Sequence, residues 1–313
     1  MLVLVYGANG WIGSQFINLL KLNDIKYIIG LSRVDDNDSL TIEINKYNPT
    51  HVLSLIGRTH GFIDNTAYAT IDYLEQKGKL VENIRDNLYG PLLLSLICSQ
   101  KNIHLTYLGT GCIFTYDGNF KSGFNEQDSP NFFGSSYSIV KGFTDKIMHL
   151  FDNNVLNLRI RMPIDNKYSQ RNFITKITNY QKICSIPNSM TVLPELLPIV
   201  IDLMKNKITG TINLTNPGVI SHNEILELYK NIVDPDFKWE NFSLEEQRKI
   251  LDSDRSNNLL NTTKLESLYP NMLHIKEAVT KCMHEYKNNL DFIRNKKLKL
   301  IDPNILENNI LRY

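Results

Sequence analysis

A tyrosine and a lysine at helical spacing carry the first chemical signal of this sequence. Tyr137 and Lys141 are four residues apart, so on a helix their side chains lie on one face about one turn apart. The lysine charge is expected to lower the phenol pKa from its free value of about 10. Thr110 adds a hydroxyl that can bond a substrate carbonyl, and Cys112 adds a thiol two residues later. These side chains predict proton transfer to and from a carbonyl compound.

Each of these residues also has a plain structural alternative. The Tyr-x-x-x-Lys spacing arises often by chance, and it then describes a tyrosine on a half-buried helix face beside a solvated lysine. Cys112 taken alone can be a small core cysteine. The beginning of the chain favours the chemical interpretation, because it contains the turn that a nucleotide cofactor requires.

That turn lies between a predicted buried strand at 2–6 and a predicted helix. Three glycines follow the strand at a G-x-x-G-x-x-G spacing. The first permits a tight turn, the second lets the backbone approach a pyrophosphate, and the third lets helix and strand pack closely. The pyrophosphate would sit at the helix N-terminus, where free N–H groups favour an anion. The predicted cofactor-binding residues of the turn are Gly7, Asn9, Gly10, Trp11, Ile12 and Gly13.

The residues after the second predicted strand bear on the choice of cofactor. An acidic residue there would bond the ribose 2′-hydroxyl of NAD, but the chain has Arg33 instead. Arginine can pair with a 2′-phosphate, so NADPH is favoured. NADH stays the alternative, because Asp35 and Asp36 follow closely and Arg33 can be an exposed loop residue. Gly57 follows the third predicted strand and is expected beneath the adenine and ribose.

Composition excludes several classes of protein. The 313 residues carry a formal net charge of +1, so bulk electrostatics give no reason to expect nucleic acid or membrane binding. The longest apolar runs are too short to span a bilayer. The first strand lacks the basic segment and the cleavage site of a signal peptide. The four cysteines show no metal or disulfide spacing, so we expect no metal, and reduced thiols in a cytoplasmic protein.

The order of predicted elements gives the fold class. Strands and helices alternate through the first half, and Thr110 and Cys112 follow a strand at its carboxyl end, where open α/β sheets bind ligands. We predict a Rossmann-type doubly wound parallel sheet over 1–163 and a smaller α/β substrate-binding domain over most of 164–287. No role is predicted for the Asn/Lys-rich extension 288–313.

Several longer strings give the sequence a family resemblance. They are 109–114 (GTGCIF), 130–132 (PNF), 137–141 (YSIVK), 161–164 (RMPI), 171–177 (RNFITKI), 187–191 (PNSMT), 215–219 (TNPGV), 221–226 (SHNEIL) and 255–258 (RSNN). On these residues the chain resembles the extended short-chain dehydrogenase/reductases that reduce 4-keto-6-deoxy sugar nucleotides. It looks most like the bifunctional UDP-4-keto-6-deoxyglucose 3,5-epimerase/4-reductases of UDP-L-rhamnose synthesis. Such proteins occur in plants and in some large DNA viruses, and a viral member would act in the host cytoplasm.

The resemblance implies two reactions on UDP-4-keto-6-deoxyglucose, which are epimerisation at C3 and C5 and then NADPH-dependent reduction at C4. Cys112 matches the cysteine that related fucose-forming enzymes use for epimerisation, and Lys176 falls at the place of their histidine. In the reduction, Tyr137 would protonate the alkoxide, while Lys141 tunes it and holds the ribose. Thr110 would position the carbonyl oxygen.

Further residues receive roles from the same resemblance. Asn87 falls at an asparagine that supports the active site in this superfamily, and we predict it beside the cofactor. The expected substrate-binding residues are Arg171, Asn172, Asn188 and Arg255. Surface salt bridges are the alternative for the arginines, and a phosphate-binding or surface lysine is the alternative for Lys176.

Two other functions stay open at this point. One is a 4-reductase acting on a UDP- or dTDP-4-keto-6-deoxy sugar without epimerisation, which would leave Cys112 and Lys176 without a catalytic role. The other is a non-catalytic NADP-binding regulatory subunit, although the Thr110, Tyr137 and Lys141 set is intact. The expected partners are a separate upstream 4,6-dehydratase that supplies the keto sugar and, for a homodimer, a second copy of the chain.

Overall fold

The computed structural model of the chain describes residues 1–116 and 122–300. Within these residues the strands are β1 (Leu2–Tyr6), β2 (Lys26–Ile29), β3 (His51–Ser54), β4 (Gly61–Ile63), β5 (Thr66–Tyr68), β6 (His104–Thr110), β7 (Val155–Ile160), β8 (Lys182–Ile183), β9 (Gly210–Asn213) and β10 (Glu240–Asn241). The α-helices of the same residues are α1 (Trp11–Leu22), α2 (Asn37–Tyr47), α3 (Leu80–Ile84), α4 (Gly90–Gln100), α5 (Ser136–Met148), α6 (Phe173–Thr178), α7 (Leu193–Lys205), α8 (His222–Ile232), α9 (Leu244–Ile250), α10 (Thr263–Leu268) and α11 (Ile275–Leu300). Short 3-10 turns lie at Ile71–Glu75 and His149–Phe151, and a π-helical turn lies at Arg85–Tyr89. The part of the predicted extension at 301–313 lies outside the described residues.

A parallel six-stranded sheet organises the molecule. Its strand order is β2-β1-β3-β6-β7-β9, and every neighbouring pair is parallel. The order reverses at β1, which pairs with β2 on one side and with β3 on the other. Ligands of doubly wound sheets bind in the crevice at such a reversal, outside the carboxyl ends of the strands. The predicted fold class is confirmed.

Helices cover both faces of this sheet, as parallel strands that are apolar on both faces require. On one face α1 and α7 pack through buried side chains such as Phe16 and Leu197. On the other face α2, α4 and α5 contribute Leu40, Leu94 and Met148. The glycine turn after β1 and the loop after β6 both emerge at the carboxyl edge of the sheet.

The predicted domain boundary after residue 163 stays a prediction, and the second half of the chain also contributes to the main sheet. The sixth strand, β9, comes from the second half of the chain and pairs with β7 in register from Leu156 with Gly210 onward. Ile212 on this strand and Leu265 in α10 belong to the same buried cluster as Phe16. After β7 the chain forms α6 and β8 outside the main sheet. It then returns to the sheet with β9, where Ile212 completes the main core.

A second lobe is built from α6, α8, α11 and the parallel pair β8–β10. Its core includes Ile174, Ile225 and Met283. A capping box starts α8, since the Ser221 hydroxyl oxygen accepts from the Glu224 N–H at 3.3 Å and the Glu224 carboxylate accepts from the Ser221 N–H at 2.8 Å. Within the described part of the chain, no helix is long and apolar enough to cross a bilayer.

Candidate active site

The carboxyl end of β6 delivers Thr110 and, just beyond it, Cys112. The Thr110 side-chain oxygen accepts a hydrogen bond from the Cys112 backbone N–H at 3.1 Å. The Ser138 hydroxyl donates to the Cys112 carbonyl at 2.7 Å, which ties this loop to the first turn of α5. The Cys112 side chain is half-buried and packs against a cluster that includes Tyr137. The strand end therefore places a hydroxyl and a thiol beside a phenol.

Tyr137 lies in the first turn of α5. The Ser135 hydroxyl oxygen caps this helix by accepting from the Ser138 N–H at 3.0 Å. Only 8% of Tyr137 is exposed, and its phenol is hydrogen-bonded to Thr110. Burial, and then the neighbouring Cys112 thiol, raise the pKa of Tyr137 well above its usual value, while the bond to Thr110 offsets only part of the rise. The phenol is thus held in its protonated form at neutral pH.

Lys141 lies one helical turn further along α5 and is also buried. Its ammonium donates to the Tyr107 hydroxyl and lies 4.7 Å from the centre of that ring. Burial lowers the pKa of Lys141 to about 8, although Asp145 and Cys112 act in the opposite direction. The predicted lowering of the Tyr137 pKa by Lys141 is wrong for this structure, because burial dominates at the phenol and Lys141 turns toward Tyr107.

A buried ion pair holds α5 against the sheet. Asp145 receives two hydrogen bonds from Arg159 of β7, from Nε to Oδ1 at 2.9 Å and from Nη2 to Oδ2 at 2.7 Å. Asn157 adds a bond to the same carboxylate at 2.9 Å. This paired arrangement fixes the orientation of α5, and with it the positions of Tyr137 and Lys141.

The glycine turn after β1 has the geometry that a pyrophosphate requires. Gly7 adopts a φ of 83°, which L side chains rarely take up. A Cβ on Gly13 would lie 2.1 Å from the Gly7 carbonyl oxygen, so only glycine permits this approach of helix and strand. Gly10 is the N-cap of α1 and brings no side chain to the helix end, and Asn9 beside it is exposed. The N–H groups of the first turn, at Trp11–Gly13, suit an anion.

The other predicted cofactor residues occupy two different settings. Arg33 is largely exposed and pairs with Asp35 at 3.0 Å, so it lies free of the core at the end of β2. Asn87 is fully buried in the π-helical turn, beneath Gly57. Its side chain exchanges two hydrogen bonds of 2.9 Å with the Arg58 backbone and donates to Asn83. Asn87 therefore holds the loop after β3, and its predicted place beside the cofactor stays a prediction.

Lys176 faces the first lobe across the crevice. Its ammonium donates to the Ala69 carbonyl at 3.4 Å. Burial lowers the pKa of Lys176, and the charges of Arg171 and Arg255 lower it further. Arg171 contacts His60, and burial together with Arg171, Arg58 and Lys176 lowers the pKa of His60 to about 4. The structure thus gathers Lys176, Arg171 and a neutral histidine, and sequence reasoning missed His60 because it belongs to the other lobe.

The remaining predicted substrate residues divide into one arginine and two asparagines. Arg255 pairs with Asp72 of the first lobe. Asn172 is fully buried and caps α6: its Oδ1 accepts from the Asp165 and Ile174 N–H groups, and its Nδ2 donates to two carbonyls. Asn188 is also fully buried, and its amide has four partners within the protein. Both asparagine side chains are used by the fold, and their predicted contact with substrate stays a prediction.

Residues that follow Arg255 hold the loop of Cys112 from beneath. The Asn258 side chain donates to the carbonyls of Gly111 at 3.0 Å and Phe114 at 2.9 Å. The Ser256 hydroxyl donates to the Phe114 carbonyl at 2.6 Å. The string 255–258 (RSNN) contributed to the family resemblance, but the sequence alone does not show which loop its side chains contact.

These features define the class of the protein. A parallel doubly wound sheet, a glycine turn and a Thr/Tyr/Lys set at the end of β6 and on α5 are those of an extended short-chain dehydrogenase/reductase. The family model described as RmlD substrate binding domain matches residues 1–180. The chain belongs to this family.

Comparison with individual proteins gives a narrower likeness. The chain is 57% identical over 285 residues to the uncharacterized protein L780 of Acanthamoeba polyphaga mimivirus, covering 89% of this chain and 97% of that protein. A crystal structure of the L780 UDP-rhamnose synthase from the same virus superposes with a TM-score of 0.88 at 56% identity, over 91% of this chain and 99% of the other. The bifunctional dTDP-4-dehydrorhamnose 3,5-epimerase/dTDP-4-dehydrorhamnose reductase of Arabidopsis thaliana is 44% identical over 287 residues, covering 90% of this chain and 92% of that protein. A dTDP-4-dehydrorhamnose reductase from Bacillus anthracis in complex with NADP shares the fold, with a TM-score of 0.72 at 15% identity over 91% of this chain and 98% of the other.

Proposed function

We propose that the chain converts UDP-4-keto-6-deoxy-D-glucose into UDP-L-rhamnose by 3,5-epimerisation followed by NADPH-dependent 4-reduction. The observation that carries this proposal is the cluster of Thr110, Cys112 and Tyr137 at the carboxyl end of β6. A reductase needs only the hydroxyl and the phenol, whereas the thiol adds a group that can move a proton at carbon. The names of the mimivirus synthase and of the Arabidopsis enzyme support the same two reactions and the same class of substrate.

Epimerisation requires one group that removes a proton from carbon and another that returns it on the opposite face. The ketone at C4 acidifies the hydrogens at C3 and C5, so their removal gives an enediolate. Cys112, as thiolate, accepts the proton and becomes a thiol, and Lys176 gives a proton to the other face of the same carbon. Lys176 suits this role because burial and the neighbouring arginines lower its pKa, which eases the release of its proton.

Reduction follows at C4, where bound NADPH supplies the hydride. The alkoxide that forms takes its proton from the Tyr137 phenol, which its raised pKa keeps protonated. Thr110 holds the same oxygen through its hydroxyl and so stabilises the charge that develops on it. The glycine turn and the start of α1 receive the pyrophosphate. Arg33 is free of the core and suits the 2′-phosphate of NADPH, while Arg171 and Arg255 suit the diphosphate of the sugar nucleotide.

The two reactions are separable in one experiment in deuterated water. The wild-type chain with NADPH and UDP-4-keto-6-deoxyglucose is expected to yield UDP-L-rhamnose that carries deuterium at C3 and C5, as read by mass spectrometry and proton NMR. Cys112→Ser should abolish the exchange yet still reduce a pre-epimerised substrate. Tyr137→Phe is the matched control, since it should retain the exchange and lose reduction by a factor of about 10² to 10⁴. Normal exchange by Cys112→Ser would leave a plain 4-reductase, and NADPH binding without turnover would leave a regulatory subunit.

Two partners and a location belong to the same proposal. A 4,6-dehydratase on a separate chain supplies the keto sugar, and the four free thiols fit a cytosolic setting. A second copy of the chain covers the exposed apolar side chains of Val81, Ile84 and Phe143, which lie on the adjoining helices α3 and α5. Light scattering should therefore give the mass of a dimer, and Phe143→Glu should give a monomer.

A further inference from the structure

Arg161, which follows β7, is a buried arginine without an ionised partner. Only 1% of it is exposed. Its Nη2 donates to the Asn188 side-chain oxygen at 2.9 Å and to the Ser256 carbonyl at 2.9 Å, and both acceptors are neutral. Its Nε and Nη1 have no hydrogen-bond partner among the described residues. Burial accordingly lowers the pKa of Arg161.

A buried guanidinium in this state is costly to the fold. Charged side chains are found in protein interiors when a partner of opposite charge compensates for the lost hydration. Arg159, two residues earlier in the chain, shows the usual solution, because Asp145 binds its guanidinium with two hydrogen bonds. Arg161 has no such carboxylate in the described part of the chain. We therefore expect a nearby group that is ionised only part of the time and whose anionic form this charge would stabilise.

The side chain of Arg161 runs along the loop that carries Cys112. A Cβ on Gly111 would lie 3.0 Å from Cγ and 3.1 Å from Cδ of Arg161, so this glycine permits the arginine to pass directly beneath the residue before the cysteine. The charge of Arg161 acts on Cys112, Tyr116 and His222. Asn188 and Ser256 accept hydrogen bonds from Nη2 and so hold the guanidinium in this place.

Of the three groups that the charge reaches, only the thiol of Cys112 acts as an anion in the proposed epimerisation. The Tyr116 hydroxyl donates to the Pro187 carbonyl at 3.0 Å, and burial raises the pKa of this phenol. Burial lowers the pKa of His222 to about 4, and its ring is then neutral. Free cysteine thiols, in contrast, ionise near pH 8.5.

We propose that Arg161 is a positioning residue for epimerisation, and that its buried charge stabilises the thiolate of Cys112. The proposal rests on the proposed function, in which Cys112 removes a proton from carbon. The thiolate accepts that proton and becomes a thiol, the electron pair of the C–H bond passes into the enediolate, and Arg161 keeps its own protons throughout. Tyr137 and Lys141 of α5 also face Cys112. Tyr137 is neutral, and burial lowers the pKa of Lys141 to about 8, so its charge is only partial at pH 8, whereas an arginine stays charged there.

Alkylation of Cys112 by iodoacetamide tests the proposal without substrate or cofactor, since only the thiolate reacts. The rate at pH 8 is read by peptide mass spectrometry on the full chain, with Cys184 as the internal reference because burial alone raises its pKa. Arg161→Gln should lower the rate at Cys112 about tenfold, the effect of one pH unit of thiol ionisation. Arg161→Lys keeps the charge and should stay within about threefold of the wild type.

Two outcomes would overturn the proposal: an unchanged rate in Arg161→Gln, or an equal fall in both variants, which would show that packing and not charge matters. If Arg161→Gln does not fold, Cys112→Asp and Cys112→Asn form a matched pair that leaves Arg161 intact. The Asp variant should then unfold at pH 7 at a temperature no lower than the Asn variant, and a Tm several degrees lower would contradict the argument. Because no turnover is measured, a chain without epimerase activity would fail the deuterium experiment and still report on Arg161.

Discussion

Replacement of Asp145 by asparagine tests whether the ion pair with Arg159 positions α5. The Arg159 side chain is fully buried and Asp145 is 4% exposed. Asp145→Asn keeps the shape of the side chain but leaves the guanidinium without a counter-charge. Breaking one partner of a buried ion pair costs about 3–5 kcal/mol, so we expect a loss of this size in the free energy of unfolding.

The loss is best measured by urea unfolding at pH 7, followed by tryptophan fluorescence and by circular dichroism. Asp254→Asn is the matched control, because the ion pair of Asp254 with Arg248 at 3.2 Å has side chains that are 43% and 57% exposed. Exposed pairs contribute about 0–1 kcal/mol, so the control should change little. The double variant Asp145→Leu with Arg159→Met should be less destabilised than Asp145→Asn, since no charge then remains buried.

The reasoning is refuted if Asp145→Asn destabilises the chain no more than Asp254→Asn does. It also fails if the double variant is as unstable as the single one, because packing volume and not the isolated charge would then account for the loss. A further consequence concerns Lys141, whose pKa Asp145 raises. Asp145→Asn should therefore make Lys141 deprotonate at a lower pH.

Three further substitutions test the contacts around the site. Burial lowers the pKa of Lys141 to about 8 from 10.5, so the unfolded chain binds more protons between these values and wild-type stability gains with rising pH. The free energy of unfolding of Lys141→Met should thus exceed that of the wild type by up to about 3 kcal/mol at pH 7 and by less at pH 10. A difference in urea titrations that does not change with pH would contradict this. Gly13→Ala places a Cβ 2.1 Å from the Gly7 oxygen and should weaken NADPH binding at least about tenfold in a fluorescence titration; unchanged affinity would remove the assigned role of the turn. Asn87→Ala removes three hydrogen bonds that end on Arg58 and Asn83, so we expect a loss of about 1–3 kcal/mol and a higher KM for NADPH, whereas an unchanged KM would separate this loop from the cofactor.

Sequence reasoning succeeded where local chemistry determines local structure. The glycine spacing at Gly7, Gly10 and Gly13 predicted a strand, a turn and a helix, because those backbone positions tolerate few other residues. The spacing of Tyr137 and Lys141 predicted one helix face, and α5 places both on its buried side. These inferences depend on residues that are close in the chain.

It failed where the partner of a side chain is distant in the chain. The amides of Asn172 and Asn188 bind backbone groups and side chains of the protein that no local pattern indicates. Lys141 was expected to act on Tyr137, and instead it meets Tyr107 of β6. The pairing of β9 with β7 in the main sheet is a long-range contact of the same kind, and no local pattern indicates it.

The hydrogen bonds from Ser256 and Asn258 to the loop after β6 constrain how such chains can be recombined. The matched family segment at residues 1–180 contains Cys112, yet two of the side chains that hold its loop lie more than a hundred residues further on. A chimera with a crossover between these two segments would combine a loop from one parent with supports from another. We expect hybrids of this enzyme with its relatives to retain epimerase activity only when 109–114 and 255–258 come from the same parent. The two segments then behave as one inherited unit, although they are far apart in the gene.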